Sequence, residues 1–203
     1  MPWLIVFSIL FATPQAKAIT PTDLKSGDVL LQSVSCYLCS MIESEEGLPY
    51  SHVGVILKNE VGIAVLESWN GLQKISLDQH LSLRRKGTLT LVRRPLNLEG
   101  DFLKIRNVEL DQLFRLRFAG HHYDSDFLWN NADSAGETFY CSEFSAKILD
   151  FFLPESMPTK AMHFIRHRSD WLQYFHGNPP DGKPGISPAD FARSVQFTTI
   201  GTL

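Results

Sequence analysis

The sequence lacks the charge imbalance that nucleic-acid-binding proteins usually carry. Its 203 residues include 19 basic and 22 acidic side chains, which leave a formal net charge of -3. A face that follows a phosphate backbone needs an excess of Lys and Arg. The sequence also shows no internal repeat and no low-complexity segment. We therefore expect no nucleic-acid partner and no attraction to an anionic membrane surface.

Long hydrophobic runs are almost absent, and the one that exists stands at the start of the chain. The run MPWLIVFSILFATPQAKA ends in A-K-A and has no Lys or Arg before its apolar part. A short apolar region before an A-x-A site is typical of a secretory signal peptide, and this one is too short to span a bilayer comfortably. We predict a cleaved signal over 1–18, a mature chain from Ile19 without a stable membrane span, and a periplasmic or extracellular location. A buried N-terminal strand and an uncleaved anchor are the alternatives.

Cysteine is scarce, with three residues in the chain. An odd number leaves at least one thiol unpaired within the chain, and an exported protein meets an oxidising compartment. In CYLC, Cys36 and Cys39 are close enough to form a disulfide with each other, which would leave Cys141 free. The alternatives for CYLC are a pair of small buried hydrophobic residues and a redox-active CxxC motif.

The rest of the sequence predicts a single domain of the α+β class over residues 19–203. Short β-branched segments bounded by turn residues are typical of strands joined as hairpins, and apolar residues at helical spacing mark helices packed against them. In YSHVGVILK, the residues His52, Gly54 and Ile56 share one face of the strand. The predicted strands are VLLQ, YSHVGVILK, GIAVLES and TLTLVRR, and the predicted helices are 34–46, VELDQLFRLRFAG, the segment from Cys141 and SPADFARS.

Cys141 stands at the start of an apolar helical pattern in TFYCSEFSAKILDFF. The free N–H groups at a helix N-terminus and a nearby His both favour the thiolate that a nucleophilic cysteine needs. The nucleophile also needs a base that a third group orients. His52 and Glu67 lie on two strands that are predicted to pair, which makes them candidate cross-strand neighbours. A structural Cys, a core His and a solvated Glu are the alternatives at the three positions.

Five motifs in order resemble a known family of hydrolases. They are GDVLLQ, PYSHVGVIL, VLESWNGLQ, GHHYDSDF and FYCSEF, followed by the tail ISPADFARSVQF. Together they are similar to the circularly permuted papain-like cysteine hydrolases of the YiiX/YaeF (YebB-like) family, which are relatives of the NlpC-type cell-wall hydrolases. The resemblance runs from Leu24 to the end of the chain. It implies a permuted papain-like fold in which the base precedes the nucleophile, as His52 precedes Cys141 here.

Carried over motif by motif, the resemblance implies a catalytic triad and an oxyanion donor. SHVG makes His52 the base, YCSE makes Cys141 the nucleophile, and LES makes Glu67 the third member. The aromatic hydroxyl upstream of the nucleophile corresponds to Tyr123 in HYDSDF, with Tyr50 as a second candidate. The N–H of Cys141 is the other donor.

The function that the resemblance implies is a cysteine amidase or peptidase that acts on an acyl amide and needs no cofactor, with cell-wall peptides as one candidate substrate. A lipid acyl hydrolase or acyltransferase with the same triad, a non-catalytic binding module and a redox protein that uses CYLC are the alternatives. A metal site is a further alternative, because His163 and His167 have the spacing of ligands on one helical turn. Arg166 and Arg168 favour a solvated basic face there instead.

Overall fold

A computed structural model describes residues 16–96 and 102–203 of the chain, with the backbone alone over 102–107. The predicted signal segment lies outside the described residues, apart from its last three positions. Those positions run beside the last strand of the protein. Ala18 forms a parallel bridge with Thr202, and the Ile19 N–H donates to the carbonyl of the same threonine at 2.9 Å.

Six strands form one antiparallel sheet, which positions most of the candidate site. In chain order they are β1 (Val29–Gln32), β2 (His52–Asn59), β3 (Gly62–Ser68), β4 (Leu72–Ser76), β5 (Leu91–Pro95) and β6 (Phe197–Thr202). Their order across the sheet is β6-β5-β1-β2-β3-β4, so β2 lies inside the sheet between β1 and β3. All four predicted strands are confirmed, with small differences at their ends. Two ribbons of two-residue strands lie outside the sheet, Ala132–Asp133 with Gly136–Glu137 and Lys160–Ala161 with Pro184–Gly185.

The described residues also contain six α-helices. They are α1 (Cys39–Glu46), α2 (Leu77–Ser82), α3 (Phe102–Leu113), α4 (Cys141–Leu149), α5 (Arg168–Tyr174) and α6 (Pro188–Arg193). A π-helical turn over Phe114–Phe118 follows α3, and Pro21–Asp23 forms a short 3-10 helix. The helices predicted from Cys141 and at SPADFARS are confirmed, whereas the sequence patterns above do not predict α2. None of the described helices is long and apolar enough to cross a membrane.

The sheet is buried on both faces along β2. Val53 and Val55 pack on one face with apolar side chains of α3 and α4. Ile56 and Val65 pack on the other face with Leu77 of α2. Burial of one such aliphatic side chain contributes roughly 2 kcal/mol. The strand ends that carry the candidate site are therefore held between two packed layers.

The helix predicted over 34–46 is wrong in its first part, because α1 begins only at Cys39. Val34 instead extends the sheet beyond β1. Its N–H donates to the hydroxyl of Ser51 at 3.0 Å, and its backbone forms an antiparallel bridge with Arg84. These backbone bonds hold Val34 in an extended conformation that excludes a helix at this point.

A disulfide between Cys36 and Cys39 closes the turn that leads into α1. This confirms the predicted pairing and leaves Cys141 as the free cysteine. The bond also excludes the alternative in which both CYLC cysteines are merely small buried residues. The redox alternative for CYLC stays untested, since a redox-active pair also forms a disulfide.

Candidate active site

His52 opens strand β2, and only 1% of its side chain is exposed. Its Nε2 atom lies 2.9 Å from Oε2 of Glu67, so the ring N–H donates to the carboxylate. The other ring nitrogen, Nδ1, makes no hydrogen bond to any described residue. Buried polar atoms are rarely left without a partner, and an unpaired Nδ1 is therefore a feature that needs an explanation in function.

Glu67 is fully buried in β3 and accepts three hydrogen bonds. Besides His52, Nδ1 of His80 donates to Oε2 at 2.6 Å, and Nε2 of Gln73 donates to Oε1 at 3.0 Å. Burial alone would raise the pKa of Glu67, but the hydrogen bonds from the two histidines outweigh it and hold the pKa at about 2. Glu67 is therefore a carboxylate throughout the ordinary pH range.

The register of β2 and β3 places His52 diagonally from Glu67 rather than directly opposite. Val55 pairs with Leu66, so the next positions along the two strands are Gly54 and Glu67. Diagonal neighbours on one face of a sheet are within reach of long side chains. The predicted contact between the two residues is thus present, with a glycine in the position directly across from the carboxylate.

Gly54 makes room for the second histidine. A Cβ atom at this position would lie 2.5 Å from Cγ1 of Val65 and 3.0 Å from Cε1 of His80. Real Cβ contacts are longer than the first of these distances, so a side chain at position 54 would displace its neighbours. The missing side chain lets the His80 ring lie over β2 and reach Glu67.

Cys141 is the first residue of α4, and its thiol lies at the same cleft as the His52 ring. The preceding residue, Tyr140, has an extended backbone, so the helix begins at the cysteine itself. N–H groups in the first turn of a helix have no intrahelical acceptor, and the positive end of the helix dipole favours a negative charge on sulfur. The predicted helix start at Cys141 is confirmed, and the role of Cys141 as a nucleophile stays a prediction.

Electrostatic interactions favour an imidazolium next to the thiol. Burial lowers the pKa of His52, but interactions with Cys141 and Glu67 outweigh burial and raise the pKa to about 9. The raised pKa keeps the His52 ring a proton donor at neutral pH.

Tyr123 lines the cleft together with Cys141 and His52, whereas Tyr50 is not among the described residues that line it. Burial and the neighbouring cysteine raise the pKa of Tyr123, so its hydroxyl stays protonated and able to donate. Its backbone forms a parallel bridge with Phe139, just before helix α4. Tyr50 instead packs against the larger core cluster. Of the two oxyanion candidates, only the first is placed for the role.

The cleft in front of Cys141 is open to solvent and lined largely by aromatic side chains. Its volume is about 400 Å³, and Tyr37, Trp69 and Tyr174 form much of its wall. The Trp69 ring meets the His52 ring edge-on, with 5.0 Å between centroids. The disulfide loop forms part of the rim. An extended substrate has room on this side of the nucleophile.

Sequence patterns did not predict His80 and Gln73 as parts of the site. Gln73 lies opposite Glu67 on β4. His80 lies in α2, which begins with a capping box: the Ser76 hydroxyl accepts from the Gln79 N–H, and the Gln79 side chain accepts from the Ser76 N–H. The S-x-x-Q pattern is a signature of a helix start. It is the signal that could have placed a histidine on a short helix beside the sheet.

His163 and His167 do not share a helical turn, because α5 begins at Arg168. Both side chains are exposed. Within the described chain, neither belongs to a group of three residues that could hold a metal ion. The spacing that indicated a metal site therefore lacks the helix that would bring its two members together.

His52, Glu67 and His80 could together hold a metal ion, since one ligand atom from each lies within 4.8 Å of the others. As they stand, Oε2 of Glu67 is 2.9 Å and 2.6 Å from the two ring nitrogens. Two ligands on one tetrahedral zinc ion, with bonds of about 2.0 Å, are roughly 3.3 Å apart. The present separations are those of hydrogen bonds, and a metal fits only if the side chains move apart and the shared protons leave.

Comparison with known proteins relates the fold to a solved structure. The crystal structure of the metalloprotein YiiX (DUF1105) from Escherichia coli O157:H7 is similar to this chain, with a TM-score of 0.75 and 21% sequence identity. The similarity covers 88% of this chain and 97% of that one. This chain has the YiiX fold. No protein-family profile matches the sequence, and no curated protein matches it.

The YiiX fold confirms the first part of the resemblance that the sequence motifs indicate. It also agrees with the observed mixture of helices and one antiparallel sheet. The predicted relation to papain-like enzymes and the predicted permutation stay predictions from the motifs.

Proposed function

We propose that the protein is an exported cysteine hydrolase with a permuted papain-like fold, which attacks an acyl carbonyl through Cys141, His52 and Glu67. One observation carries the proposal. The His52 ring donates from Nε2 to the buried carboxylate and keeps Nδ1 unpaired at the cleft that holds the thiol. A nucleophile, a base and a group that orients the base are the parts that covalent acyl transfer needs. The proposed substrates are acyl amides, including cell-wall peptides.

The first half of the proposed reaction is acylation of Cys141. The thiolate sulfur attacks the carbonyl carbon, a C–S bond forms, and the π electrons of the carbonyl move to oxygen. The Cys141 N–H and the Tyr123 hydroxyl stabilise the oxyanion. When the tetrahedral intermediate collapses, the C–N bond breaks and the His52 imidazolium gives its proton to the leaving amine.

Water then completes the cycle. Neutral His52 takes a proton from water while the water oxygen attacks the thioester carbon, and the C–S bond breaks to release the acid and restore the thiolate and imidazolium. Glu67 keeps the ring in one orientation through both halves. The same steps with an ester substrate describe a lipid acyl hydrolase, and an alcohol or amine acceptor in place of water describes an acyltransferase. Product analysis with an added acceptor separates these cases.

The proposal is tested by the pH dependence of Cys141 alkylation by iodoacetamide, followed by mass spectrometry. In the wild type, we expect alkylation at about pH 6 to be nearly as fast as at about pH 8.5, because the ion pair keeps sulfur ionised. In His52→Ala the rate at the lower pH should fall at least about tenfold. His122→Ala is the matched control, since that ring is exposed and bonded to Asp133.

Turnover gives the second arm of this test. Cys141→Ala should abolish hydrolysis of an activated acyl amide while the far-UV spectrum stays that of the wild type. Undiminished hydrolysis in Cys141→Ala contradicts the proposal. If the alkylation rate of Cys141 does not depend on His52 and the protein hydrolyses no acyl compound, a binding module with this fold is favoured instead.

Metal binding at the same residues is the second candidate, because His52, Glu67 and His80 form a group with suitable ligand chemistry and YiiX is described as a metalloprotein. The two rings and the carboxylate would hold a divalent ion, which would supply Lewis-acid chemistry. Elemental analysis of the purified wild type and of His80→Asn distinguishes the roles. About one metal ion per chain that is lost in the variant favours a metal site. Cys141 alkylation that is unchanged by a chelator favours the hydrolase.

A further inference from the structure

A second, smaller pocket adjoins the open cleft and has Cys141 among the residues that line it. Its cavity volume is about 40 Å³, and its wall is almost entirely apolar. Four residues line both spaces, so the pocket and the cleft are neighbours and Cys141 faces each of them. The four are Ile42, Ser51, Phe127 and Cys141. The large side chains around the pocket are Phe127, Tyr140, Met162, Phe164, Trp171 and Ile186.

The position of His52 assigns the two spaces to different halves of a substrate. His52 lines the open cleft but is not among the described residues that line the pocket. The imidazolium must reach the leaving group to protonate it, so the leaving group lies in the open cleft. The carbonyl carbon that bonds to sulfur carries a second substituent, and the apolar pocket is the other space that Cys141 lines.

We propose that this pocket binds the carbon chain of the acyl group and that the enzyme prefers short aliphatic acyl chains. The inference rests on the proposed function and adds a substrate class to it. Space for one water-sized sphere takes roughly 10–15 Å³. A cavity of about 40 Å³ therefore takes roughly three carbon-sized groups. A short straight or branched chain fits, whereas an aromatic ring or a fatty acyl chain exceeds the space.

The two carboxylates that line the pocket, Glu45 and Glu46, are hydrogen-bonded to other protein groups. Oε1 of Glu45 accepts a hydrogen bond from Nε1 of Trp171 at 3.2 Å. The Glu46 carboxylate accepts from Nζ of Lys160 at 2.6 Å. Both carboxylates are thus hydrogen-bonded within the protein, with a cationic partner at Glu46 and a neutral indole donor at Glu45. The aliphatic and aromatic side chains that form most of the pocket favour an apolar substituent. Each methylene that moves from water into such a site strengthens binding about fourfold.

Met162 forms one wall of the pocket and lies closely against the backbone of Gly185. A Cβ atom at Gly185 would lie 2.6 Å from Cγ of Met162, so the glycine lets the methionine take this position. The substitution Met162→Ala removes the Cγ, Sδ and Cε atoms from the wall. The pocket should then accept a chain longer by about two carbons.

The test uses a series of chloromethyl ketones with methyl, propyl, pentyl and heptyl chains. The Cys141 thiolate displaces chloride, so that a C–S bond forms, the C–Cl bond breaks and chloride leaves. Each rate is divided by the rate with iodoacetamide, which has no alkyl chain. We expect propyl to react about fifteen times faster than methyl, and heptyl to react no faster than methyl.

Two matched variants test whether this pocket sets the preference. Met162→Ala should move the optimum from propyl to pentyl. Met157→Ala removes the same atoms from a buried site in the larger core cluster and should keep the wild-type profile. The wild-type profile is informative by itself, so the test does not depend on the folding of either variant.

The inference is overturned if the wild-type alkylation rates rise steadily up to the heptyl ketone, or if they do not depend on chain length. If Cys141 labelling still requires His52 in that case, the proposed function stands. An unchanged optimum in folded Met162→Ala overturns the assignment to this pocket. Failure of iodoacetamide to label Cys141, or labelling that is indifferent to His52→Ala, overturns the proposed function itself and the inference with it.

Discussion

The carboxylate of Glu67 joins two histidines, and only one of them meets the nucleophile at the cleft. Burial lowers the pKa of His80, so this ring is neutral at physiological pH and donates to Glu67 without cancelling its charge. His80 is thus a positioning residue. The full negative charge of Glu67 acts on His52, whose pKa it helps to raise to about 9.

Glu67→Gln should move the basic limb of the pH–rate profile to lower pH. Activity falls as pH rises through the raised pKa of His52, about 9, because the imidazolium that protonates the leaving group is lost. A neutral amide no longer supports the charged ring, so this loss occurs at lower pH. The measurement is kcat/KM between about pH 6 and pH 10. Gln73→Ala is the control, since it removes a neutral donor to the same carboxylate and should leave the basic limb in place. An unshifted limb in Glu67→Gln contradicts the role of Glu67 in raising the pKa of His52.

Glu143, two residues after Cys141, is a buried carboxyl group that the proposed mechanism does not use. Its Oε1 accepts from the Asn130 N–H at 2.7 Å and pairs with Lys147 at 2.9 Å, while Oε2 has no partner among the described residues. Burial raises the pKa of Glu143 from 4.5 to about 7. The group therefore favours the folded state only while it keeps its proton.

Stability should fall as pH rises through the window between those two pKa values. The unfolded chain releases the Glu143 proton near pH 4.5 while the folded chain holds it to about pH 7, so the folded state binds more protons in that window. Glu143→Gln removes this effect. The free energy of unfolding, measured with denaturant, should fall between about pH 4.5 and pH 8. The fall in the wild type should exceed the fall in Glu143→Gln by an amount on the order of 3 kcal/mol. Glu137→Gln, at a half-exposed carboxylate near Lys147, should behave as the wild type.

At the scale of elements, the pairing of β2 with β3 brings His52 to Glu67. Gly54 is a position in this pairing where a side chain would clash with its neighbours. Gly54→Ala should destabilise the fold by about 1–3 kcal/mol through overpacking and should lower kcat/KM, because the added methyl group pushes His80 from Glu67. The unfolding midpoint and the rate are measured together. Val65→Ala removes the atom that the new methyl meets at 2.5 Å. The double variant should therefore lose less stability than the sum of the two single changes.

The sequence predicts the elements whose side chains alternate or recur regularly. Strand β2 and helix α4 are found where the pattern places them, since each buries one regular set of apolar residues. The short helix α2 buries only Leu77 and His80, which leaves too little periodicity to recognise. The first part of the helix predicted over 34–46 failed because a disulfide and sheet bonds override local preference there.

The sequence motifs predict part of the candidate site, as the regular patterns predict part of the fold. The motifs bring together Cys141, His52 and Glu67, and the structure places Tyr123 at the same cleft. The contact of His80 with Glu67 was not predictable, since it depends on the missing side chain of Gly54 and on the angle at which α2 meets the sheet. Contacts of this kind are set by three-dimensional packing rather than by spacing along the chain.

At the scale of the whole molecule, export remains a prediction that a direct measurement can check. Produced in a cell with a secretory pathway, the protein should be recovered from the exported fraction with Ile19 as its first residue by N-terminal sequencing. Replacement of Ala16 and Ala18 by leucine should block cleavage. The Cys36–Cys39 disulfide is what an oxidising compartment produces. Recovery of the chain from the cytoplasm with Met1 retained would contradict the prediction.

The hydrogen bond from the Ile19 N–H to the Thr202 carbonyl has a consequence for how freely the order of the chain could be rearranged. Both ends of the described domain meet at one sheet edge, so a short linker could join them. New ends could then be opened at the exposed turn at Ser134 and Ala135, a kind of site that tolerates cuts. In the rejoined chain the cysteine helix would precede the histidine strand, while the contacts of the site stayed as they are. The order of nucleophile and base is thus a property of where the chain is cut, and the geometry that unites them does not depend on it.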